Sequence, residues 1–235
     1  MVTKDKSHEK ISPRRGFYIF IALLLTAAFI YFRISGNATG DGFCVHFIDV
    51  GQGDCILIQG GQTGILIDAG EASYGAAVCS YIADAGVRNL EYVVATHPHS
   101  DHIGGLSETI YRFRVGKVVM PDVTANTASF EKLLTAIDDT GVEVIFPVSG
   151  LKLPSGIEGL TLTVLSSGKN EYENANDYSV VVRAVYGKTS FLFAGDAEAA
   201  AEREMVSSGA NLKADVLKIA SRQRDKHFRI ILRRG

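Results

Sequence analysis

The sequence predicts a mixed α+β fold in which two β-sheets face each other beneath outer helices. Short apolar segments separated by glycine-rich turns are grouped early and late in the chain, which indicates strands. Segments with apolar residues at helical spacing are interspersed among them. A hydrophobic content of 46% with only five prolines is typical of a folded chain rather than a disordered one.

In the first half of the domain, three strands are expected in FCVHFIDV, DCILIQ and GILIDAG, with GGQTG as a hairpin connection. The segment SYGAAVCSYIADAG changes to helical spacing and ends at Gly86. EYVVATH is a short buried strand that leads into a histidine-rich turn. The helix LSETIYRF, the strand KVVMP, the helix SFEKLLTAIDDTG and the strand VEVIFPV follow.

The second half continues with strands in LTLTVLS, YSVVVRAVYG and TSFLFAGD. A helix is expected in AEAAAEREMVSSG and a last strand in ADVLKIA. We assign the folded domain to residues 43–219.

The N-terminal residues predict a membrane anchor. Residues 1–16 carry five lysines and arginines, and residues 17–32, FYIFIALLLTAAFIYF, contain no charge. At about 1.5 Å per residue this stretch forms about 24 Å of helix, close to a hydrocarbon core of about 30 Å. We expect a span at 17–34, a cytoplasmic N-terminus, a linker at 35–42 and a domain outside the membrane. A signal peptide cleaved near SGNA, which would release a secreted domain, is the alternative.

The charge distribution argues against nucleic-acid binding through phosphate contacts alone, and the cysteines argue against a disulfide-stabilised fold. Residues 36–220 have a net charge of −11, whereas residues 221–235 have +5. An acidic domain is poorly suited to hold nucleic acid by phosphate contacts alone, so a polyanionic substrate would have to be drawn in by bound metal. The three cysteines lack CxxC spacing and their odd number argues against a closed disulfide framework.

The turn ATHPHSDHIGGL predicts a metal site. It places half of the six histidines of the chain within six positions, together with an aspartate. Imidazole and carboxylate groups suit zinc and similar metals, and ligands that are close in sequence reach one ion without long loop closure. His97 and His99 can point the same way, whereas Asp101 and His102 could serve a second ion. A polar surface loop is the alternative interpretation.

HPHSDH matches the His-x-His-x-Asp-His motif of the metallo-β-lactamase superfamily. FIDVGQGDCILIQ, ILIDAG, THPHSDHIGGL, NDYSVVVRAVYGKTSFLFAGDAE and LKADVLKI resemble, in order, the hydrolase domain of ComEC-type competence proteins, which are linked to DNA uptake. The resemblance covers about residues 43–219. It implies an αββα sandwich and two divalent ions, zinc or manganese.

The resemblance also implies roles for individual residues. His97 and His99 match ligands of the first ion, Asp101 and His102 match ligands of the second, and Asp196 matches the carboxylate that bridges both. Asp101 is also expected to take part in catalysis. On chemical grounds alone, Asp196 could equally cap the helix that follows it.

Six further residues are expected around the metals or the substrate. Asp68 resembles the aspartate that orients the histidine loop from behind the ligands. Three residues of DVGQGD, which could equally form a turn, resemble the border of the cleft. Two residues occupy the position where many relatives carry another metal-binding histidine. These five are Asp49, Gln52, Asp54, Asn176 and Asp177.

Three functions remain open from the sequence. The first, which the ComEC-type resemblance favours and which we expect, is an anchored extracytoplasmic metallohydrolase that cleaves phosphodiesters, as a nuclease or phosphodiesterase. The second is a metallohydrolase of the same fold that acts on another ester or on a wall or lipid substrate, which the acidic charge favours. The third is an inactive or binding-only domain. The membrane is one expected partner and a phosphodiester or nucleic acid is the expected substrate, whereas no protein partner can be inferred.

Residues 220–235 predict a shift of reading frame. ComEC-type domains continue after LKADVLKI with His-His-Gly-Ser, whose histidine binds the second ion, whereas this chain has ASRQ. The codons GCA TCA CGG CAG are permitted for these four residues. Read one base later, together with the first base of the next codon, they give CAT CAC GGC AGC, which encodes His-His-Gly-Ser. We therefore expect an out-of-frame tail at 220–235, an impaired second metal site and a second sheet without its closing strands.

Overall fold

The computed structural model describes residues 42–166 and 171–219, the backbone of 229–232, and six residues between Tyr18 and Thr26. These six are helical, and the remainder of the expected span at 17–34 lies outside the described residues. Among the residues that the structure describes, no helix has the length and apolar character needed to cross a membrane.

The first sheet has six strands in sequence order, β1-β2-β3-β4-β5-β6. β1, β2 and β3 pair antiparallel, whereas β3 to β6 pair parallel. The strands are β1 (Phe43–Phe47), β2 (Ile56–Gly60), β3 (Thr63–Ile67), β4 (Asn89–Val94), β5 (Arg114–Val119) and β6 (Glu143–Ile145). The predicted hairpin joins β2 to β3 through Gly61, which has a φ of +58°.

The second sheet has the order β12-β11-β10-β9-β8-β7, and in its described part only β10 and β11 pair parallel. Its strands are β7 (Lys152–Leu153), β8 (Leu160–Val164), β9 (Val182–Tyr186), β10 (Thr189–Phe193), β11 (Val216–Ile219) and β12 (Arg229–Leu232). β12 lies in the tail and pairs antiparallel with β11. The expectation that no strand follows β11 is therefore wrong for the backbone of 229–232.

Four of the five α-helices described in residues 42–219 occupy positions predicted from the sequence, whereas the helix at Ser100–Ile103 lies in the histidine turn, where no helix was predicted. The helices are α1 (Gly75–Asp84), α2 (Ser100–Ile103), α3 (Leu106–Arg112), α4 (Ala128–Thr140) and α5 (Ala199–Ser207), with 3-10 turns at Ala72–Tyr74 and Ala175–Tyr178. Capping explains the bounds of α4. The Thr127 hydroxyl accepts a hydrogen bond from the Phe130 amide at its start, and Gly141 ends it in the left-handed conformation at φ 64°.

The alternation of side chains along the strands produces a layered core. In β2, Ile56 and Ile58 face the second sheet, whereas Leu57 faces the helices of the first. Between the sheets they meet residues such as Val182 and Phe193, and Met205 of α5 packs on the outer face of the second sheet. The predicted mixed α+β fold, with two facing sheets and outer helices, is confirmed.

Candidate metal centre

The ends of strands in two parallel pairs, β3–β4 and β10–β11, bring the candidate ligands together. Asp68 directly follows β3, and the histidine turn follows the neighbouring strand β4, whose Val94 carbonyl accepts a hydrogen bond from the Asp68 amide at 2.9 Å. Asp196 follows β10 in the other sheet. Because the carboxyl ends of parallel strands open onto a common crevice, polar residues at these positions can meet.

Asp68 organises the histidine turn. It is fully buried, and its Oδ1 accepts a hydrogen bond from the Thr96 amide at 2.9 Å. Its Oδ2 accepts from the Thr96 hydroxyl at 2.6 Å and from His102 Nδ1 at 2.8 Å. Asp68 also has a φ of 55°, a left-handed conformation that non-glycine residues rarely adopt. Its oxygens are thus held in place by the first sheet and point at the turn.

These hydrogen bonds fix the tautomer of His97. The Thr96 hydroxyl donates its single proton to Asp68, so it can only accept from His97 Nδ1, 3.0 Å away. His97 Nε2 therefore presents a lone pair, at 3.1 Å from Nδ1 of His99. Burial and the nearby His102 lower the pKa of His97 to about 3. A neutral imidazole with a free Nε2 is the form that binds metal.

His102 and Asp196 form the opposite side of the cluster. His102 Nε2 lies 3.5 Å from Asp196 Oδ2. Burial acts to lower the pKa of His102, but the Asp68 and Asp196 carboxylates outweigh it and raise that pKa to about 10. Although burial opposes the change, the hydrogen bond and charge of His102 lower the pKa of Asp196. A divalent cation bound here would replace the Nε2 proton as the partner of Asp196.

One ligand atom each from His97, His102 and Asp196 lies within 4.8 Å of the others. Two imidazoles and a carboxylate are a donor set that suits zinc and related ions. Asn176 adds a further indication, because its Oδ1 is buried without a hydrogen-bond partner while its Nδ2 donates to Glu198 Oε1 at 2.8 Å. A buried orphan acceptor calls for an ion or another ligand. The residues present therefore fit a divalent metal.

Contacts between the two sheets bring the segment of Asn176 to the histidine turn. The Val180 amide donates to the Thr96 carbonyl at 2.8 Å, and the Asp196 amide donates to the Ser179 hydroxyl at 3.1 Å. Ser179 itself is fully buried. The 3-10 turn Ala175–Tyr178 is thereby held beside Thr96 and Asp196.

The remaining predicted ligands lie at the edge of the cluster. His99 is exposed, and its Nδ1 contacts only His97 among the described groups. Asp101 is half-buried and accepts a hydrogen bond from Gln52 Nε2 at 3.4 Å, but it belongs to neither group of converging ligands in the described chain. Asp49 is exposed and accepts from the Gly51 amide at 2.9 Å, as in a turn.

Asp177 has a structural role at the start of α5. It is buried, and its Oδ1 accepts hydrogen bonds from the Glu198 amide at 3.1 Å and the Ala201 amide at 3.0 Å, at the start of α5. The capping role that we considered for Asp196 is therefore filled by Asp177, across 21 and 24 residues of sequence. This leaves the Asp196 carboxylate free to face His102.

A second group of possible ligands contains Asp54, Asp68 and His102. Asp54 is buried, and its Oδ2 accepts a direct hydrogen bond from Lys218 Nζ in β11. Burial lowers the pKa of Lys218 to about 7, while contact with the carboxylate favours the charged form. Lys218 was not among the site residues predicted from the sequence. The available signal was a lysine at an inward position of the apolar strand ADVLKIA.

Gly53 couples the loop after β1 to the histidine turn. Its φ is +87°, and a Cβ at this position would lie 1.7 Å from the Asp101 carbonyl oxygen. Gly61 in the hairpin has a comparable φ of +58°, but nothing lies within 4 Å of its Cβ position. Both glycines have a positive φ, which favours glycine. They differ because Gly53 lies against the backbone of the histidine turn, whereas Gly61 has open space at its Cβ position.

Replacement of Gly53 by alanine should therefore displace the histidine turn. We expect Gly53→Ala to lower the melting temperature well beyond Gly61→Ala and to weaken metal binding, measured by thermal unfolding and by elemental analysis. Gly61→Ala serves as the matched control, because it carries only the left-handed strain of about 1 kcal/mol. Equal effects of the two substitutions would contradict the close approach at Gly53.

Comparison with known proteins identifies the family of the chain. The sequence model of the metallo-beta-lactamase superfamily matches residues 48–227. The chain therefore belongs to this superfamily. Among solved structures, a metallo-beta-lactamase of Cronobacter sakazakii with a HARLDQ motif, in mutant form, has 17% identity and a TM-score of 0.54 over 74% of this chain and 76% of its own. The subclass B3 enzyme MEM-A1, from a soil metagenome library, has 19% identity and a TM-score of 0.53 over 75% and 76%. These likenesses concern the fold.

The relatives in sequence are competence and recombination proteins. ComE operon protein 3 of Bacillus subtilis is 27% identical over 93% of this chain, and competence protein ComA of Neisseria gonorrhoeae is 26% identical over 83%. Recombination protein 2 of Haemophilus influenzae is 27% identical over 74%. The chain spans 29%, 26% and 21% of the lengths of these three proteins. The resemblance to the ComEC-type branch is confirmed.

Proposed function

We propose that this metallo-beta-lactamase-fold hydrolase cleaves phosphodiester bonds and that it does so outside the cytoplasmic membrane. The observation that carries the proposal is the convergence of His97, His102 and Asp196. The similarity to competence proteins supports a nucleic-acid or related phosphodiester substrate. Bound at such a site, divalent ions acidify water toward neutral pH and stabilise the charge that develops on a phosphoryl group.

The residues of the chain have separate tasks in this proposal. His97 and His102 would hold the cation through their Nε2 atoms, and Asp196 would hold it from the other sheet. His99 would complete the set beside His97, and the orphan oxygen of Asn176 would add an oxygen donor. Asp68 and Thr96 hold both Nδ1 atoms by hydrogen bonds, so that a cation would have to meet each ring at Nε2, where on His102 it would replace a proton.

Asp101 is the proposed catalytic carboxylate. It is half-buried at the turn, and Gln52 Nε2 restrains its Oδ2 at 3.4 Å. A carboxylate in this position can accept a proton from attacking water or bind a second ion. Without the His-His-Gly-Ser motif, the second ion would be held weakly. We therefore expect low hydrolytic activity from the chain as it stands.

A second candidate function is hydrolysis of another ester or of a wall or lipid diester. The net charge of −11 over residues 36–220 favours it, because this charge repels a long polyanion. A small or lipid-linked diester presents fewer phosphates and meets less repulsion.

Hydrolysis by the purified chain distinguishes these functions. Bis(p-nitrophenyl) phosphate, linear DNA, a lipid phosphodiester, a β-lactam and a thioester should be compared with Zn²⁺ and with Mn²⁺. We expect slow cleavage of the small phosphodiester and of DNA, loss of both with a chelator, and loss of both in Asp101→Asn. Cleavage of the lipid diester without DNA cleavage would support the second function. Turnover of only the lactam or thioester would contradict both, and no turnover even after frame correction would indicate a binding-only domain.

The location outside the membrane has its own test. Because lysines and arginines precede residues 17–34 and only Arg33 lies at their far end, a reporter fused after Asp41 should be active on the outer side of the cytoplasmic membrane. Alkaline phosphatase reports that side and a cytoplasmic fluorescent protein reports the other. Fluorescence without phosphatase activity would reverse the proposed topology.

A further inference from the structure

Lys218 is a buried lysine next to the candidate metal centre. Only 1% of its surface is exposed, and its neighbours in β11 are the apolar residues Leu217 and Ile219. An ammonium group is rarely buried to this extent unless it is paired and hydrogen-bonded. Its position therefore requires specific partners.

The partners of Lys218 come from both sheets. Nζ donates to Asp54 Oδ2 in the loop after β1 and to the Gly195 carbonyl at 3.1 Å, and it lies 3.7 Å from Asp196 Oδ1. The Gly195 bond fixes the ammonium at the end of β10, directly before Asp196. The ammonium group thus donates two hydrogen bonds and lies at ion-pair distance from a second carboxylate.

The two oxygens of Asp196 consequently face different cations. Oδ1 faces Lys218 at 3.7 Å, whereas Oδ2 faces His102 Nε2 at 3.5 Å. A carboxylate approached on both sides by charged or hydrogen-bonding groups has little freedom to rotate. Such partners behind a metal ligand hold it in the orientation that binds the ion.

Lys218 also acts on the second group of possible ligands. Asp54, Asp68 and His102 lie within the distances that a cation would need. Direct contact between Lys218 and Asp54 Oδ2 takes up the oxygen that faces this group, since His102 Nδ1 lies 3.8 Å from the same atom. The positive charge of the ammonium group neutralises Asp54 and repels a cation, which disfavours metal binding at Asp54.

We propose that Lys218 is a positioning residue of the metal centre. Its ammonium group orients Asp196 toward the ion and neutralises Asp54, so that the ion binds at His97, His102 and Asp196 and not at Asp54. This inference rests on the proposed function, because it assumes that the cluster binds a divalent cation.

The test compares four variants of the full chain with the unaltered chain. Lys218→Met removes the charge at similar length, Asp54→Asn removes its main partner, and the double variant removes both. Lys213→Met alters an exposed lysine on the segment leading into β11 and is the matched control. The readouts are thermal unfolding without metal, the Zn²⁺ dissociation constant from chelator competition, and the visible absorption of bound Co²⁺.

We expect Lys218→Met to bind Zn²⁺ about 10- to 100-fold more weakly, the usual effect of removing a partner behind a metal ligand, and to unfold at lower temperature. The double variant should regain most of the stability, because it leaves no unpaired buried charge. It should nevertheless keep the weakened Zn²⁺ binding and an altered Co²⁺ spectrum. Asp54→Asn alone should retain Zn²⁺ binding better than Lys218→Met, since Lys218 still faces Asp196.

A double variant with the dissociation constant and Co²⁺ spectrum of the unaltered chain would overturn the proposal and leave Lys218 a purely structural role. Should Lys218→Met fail to fold, the double variant carries the comparison. Failure of the unaltered chain to bind either ion would instead refute the proposed metal site itself. The two failures are therefore distinguishable.

Discussion

Replacement of His97 and His99 together by alanine should abolish metal binding by the chain. His97 supplies a neutral imidazole whose Nε2 is left free by the Asp68–Thr96 hydrogen bonds, and His99 lies 3.1 Å from it. The loss of one ligand of a zinc site already weakens binding strongly, and the loss of two leaves too few donors. Elemental analysis of the purified chain should show about one equivalent of metal falling to background.

His46→Ala is the matched control for this experiment. His46 lies in β1, where it contacts Tyr81 and Gln59 instead of the metal cluster. Its replacement should leave metal content unchanged. Unchanged metal content after the double His97 and His99 replacement would refute the assignment of the histidine turn as the metal site.

Restoring the reading frame after Ile219 should give the second large effect. A chain in which residues 220–223 are His-His-Gly-Ser gains an imidazole directly after β11, the strand that also carries Lys218. We expect such a chain to bind about two ions where the present chain binds one, and to hydrolyse phosphodiesters at least tenfold faster, in line with two-metal catalysis. Elemental analysis and hydrolysis of bis(p-nitrophenyl) phosphate measure the two effects.

A restored chain with the first of the two new histidines replaced by alanine, and another with the second replaced, separate the contribution of the ligand from that of the new tail. Sequencing the gene around the Ile219 codon distinguishes a true mutation from an error in the sequence. If the 235-residue chain itself binds two ions and is fully active, the frame shift is refuted. The residues concerned, 220–228, lie outside the described part of the structure.

Local patterns account for what the sequence could predict. The apolar run of β2 and the helical spacing of α1 each depend on residues that are close in sequence, and these elements were placed correctly. The histidine turn was recognisable for the same reason. Asp68 and Asp196 carry a weak chemical signal by themselves, and it was the family resemblance that singled them out.

Long-range contacts account for what the sequence could not predict. Lys218 and Asp54 are 164 residues apart, and neither residue alone indicates that a buried ion pair joins them. Asp177 caps a helix that begins more than twenty residues later, a role that depends on how the second sheet folds. The strand β7 has only two residues, too few to produce a periodic pattern.

The division of the candidate ligands between the sheets has a mechanical consequence. His97 and His102 are carried by the first sheet and Asp196 by the second, so an ion bound to all three fastens the halves of the sandwich to each other. Such an ion would join the two sheets as well as take part in catalysis. Opening the halves would cost its binding free energy, so that bound metal would stabilise the closed sandwich.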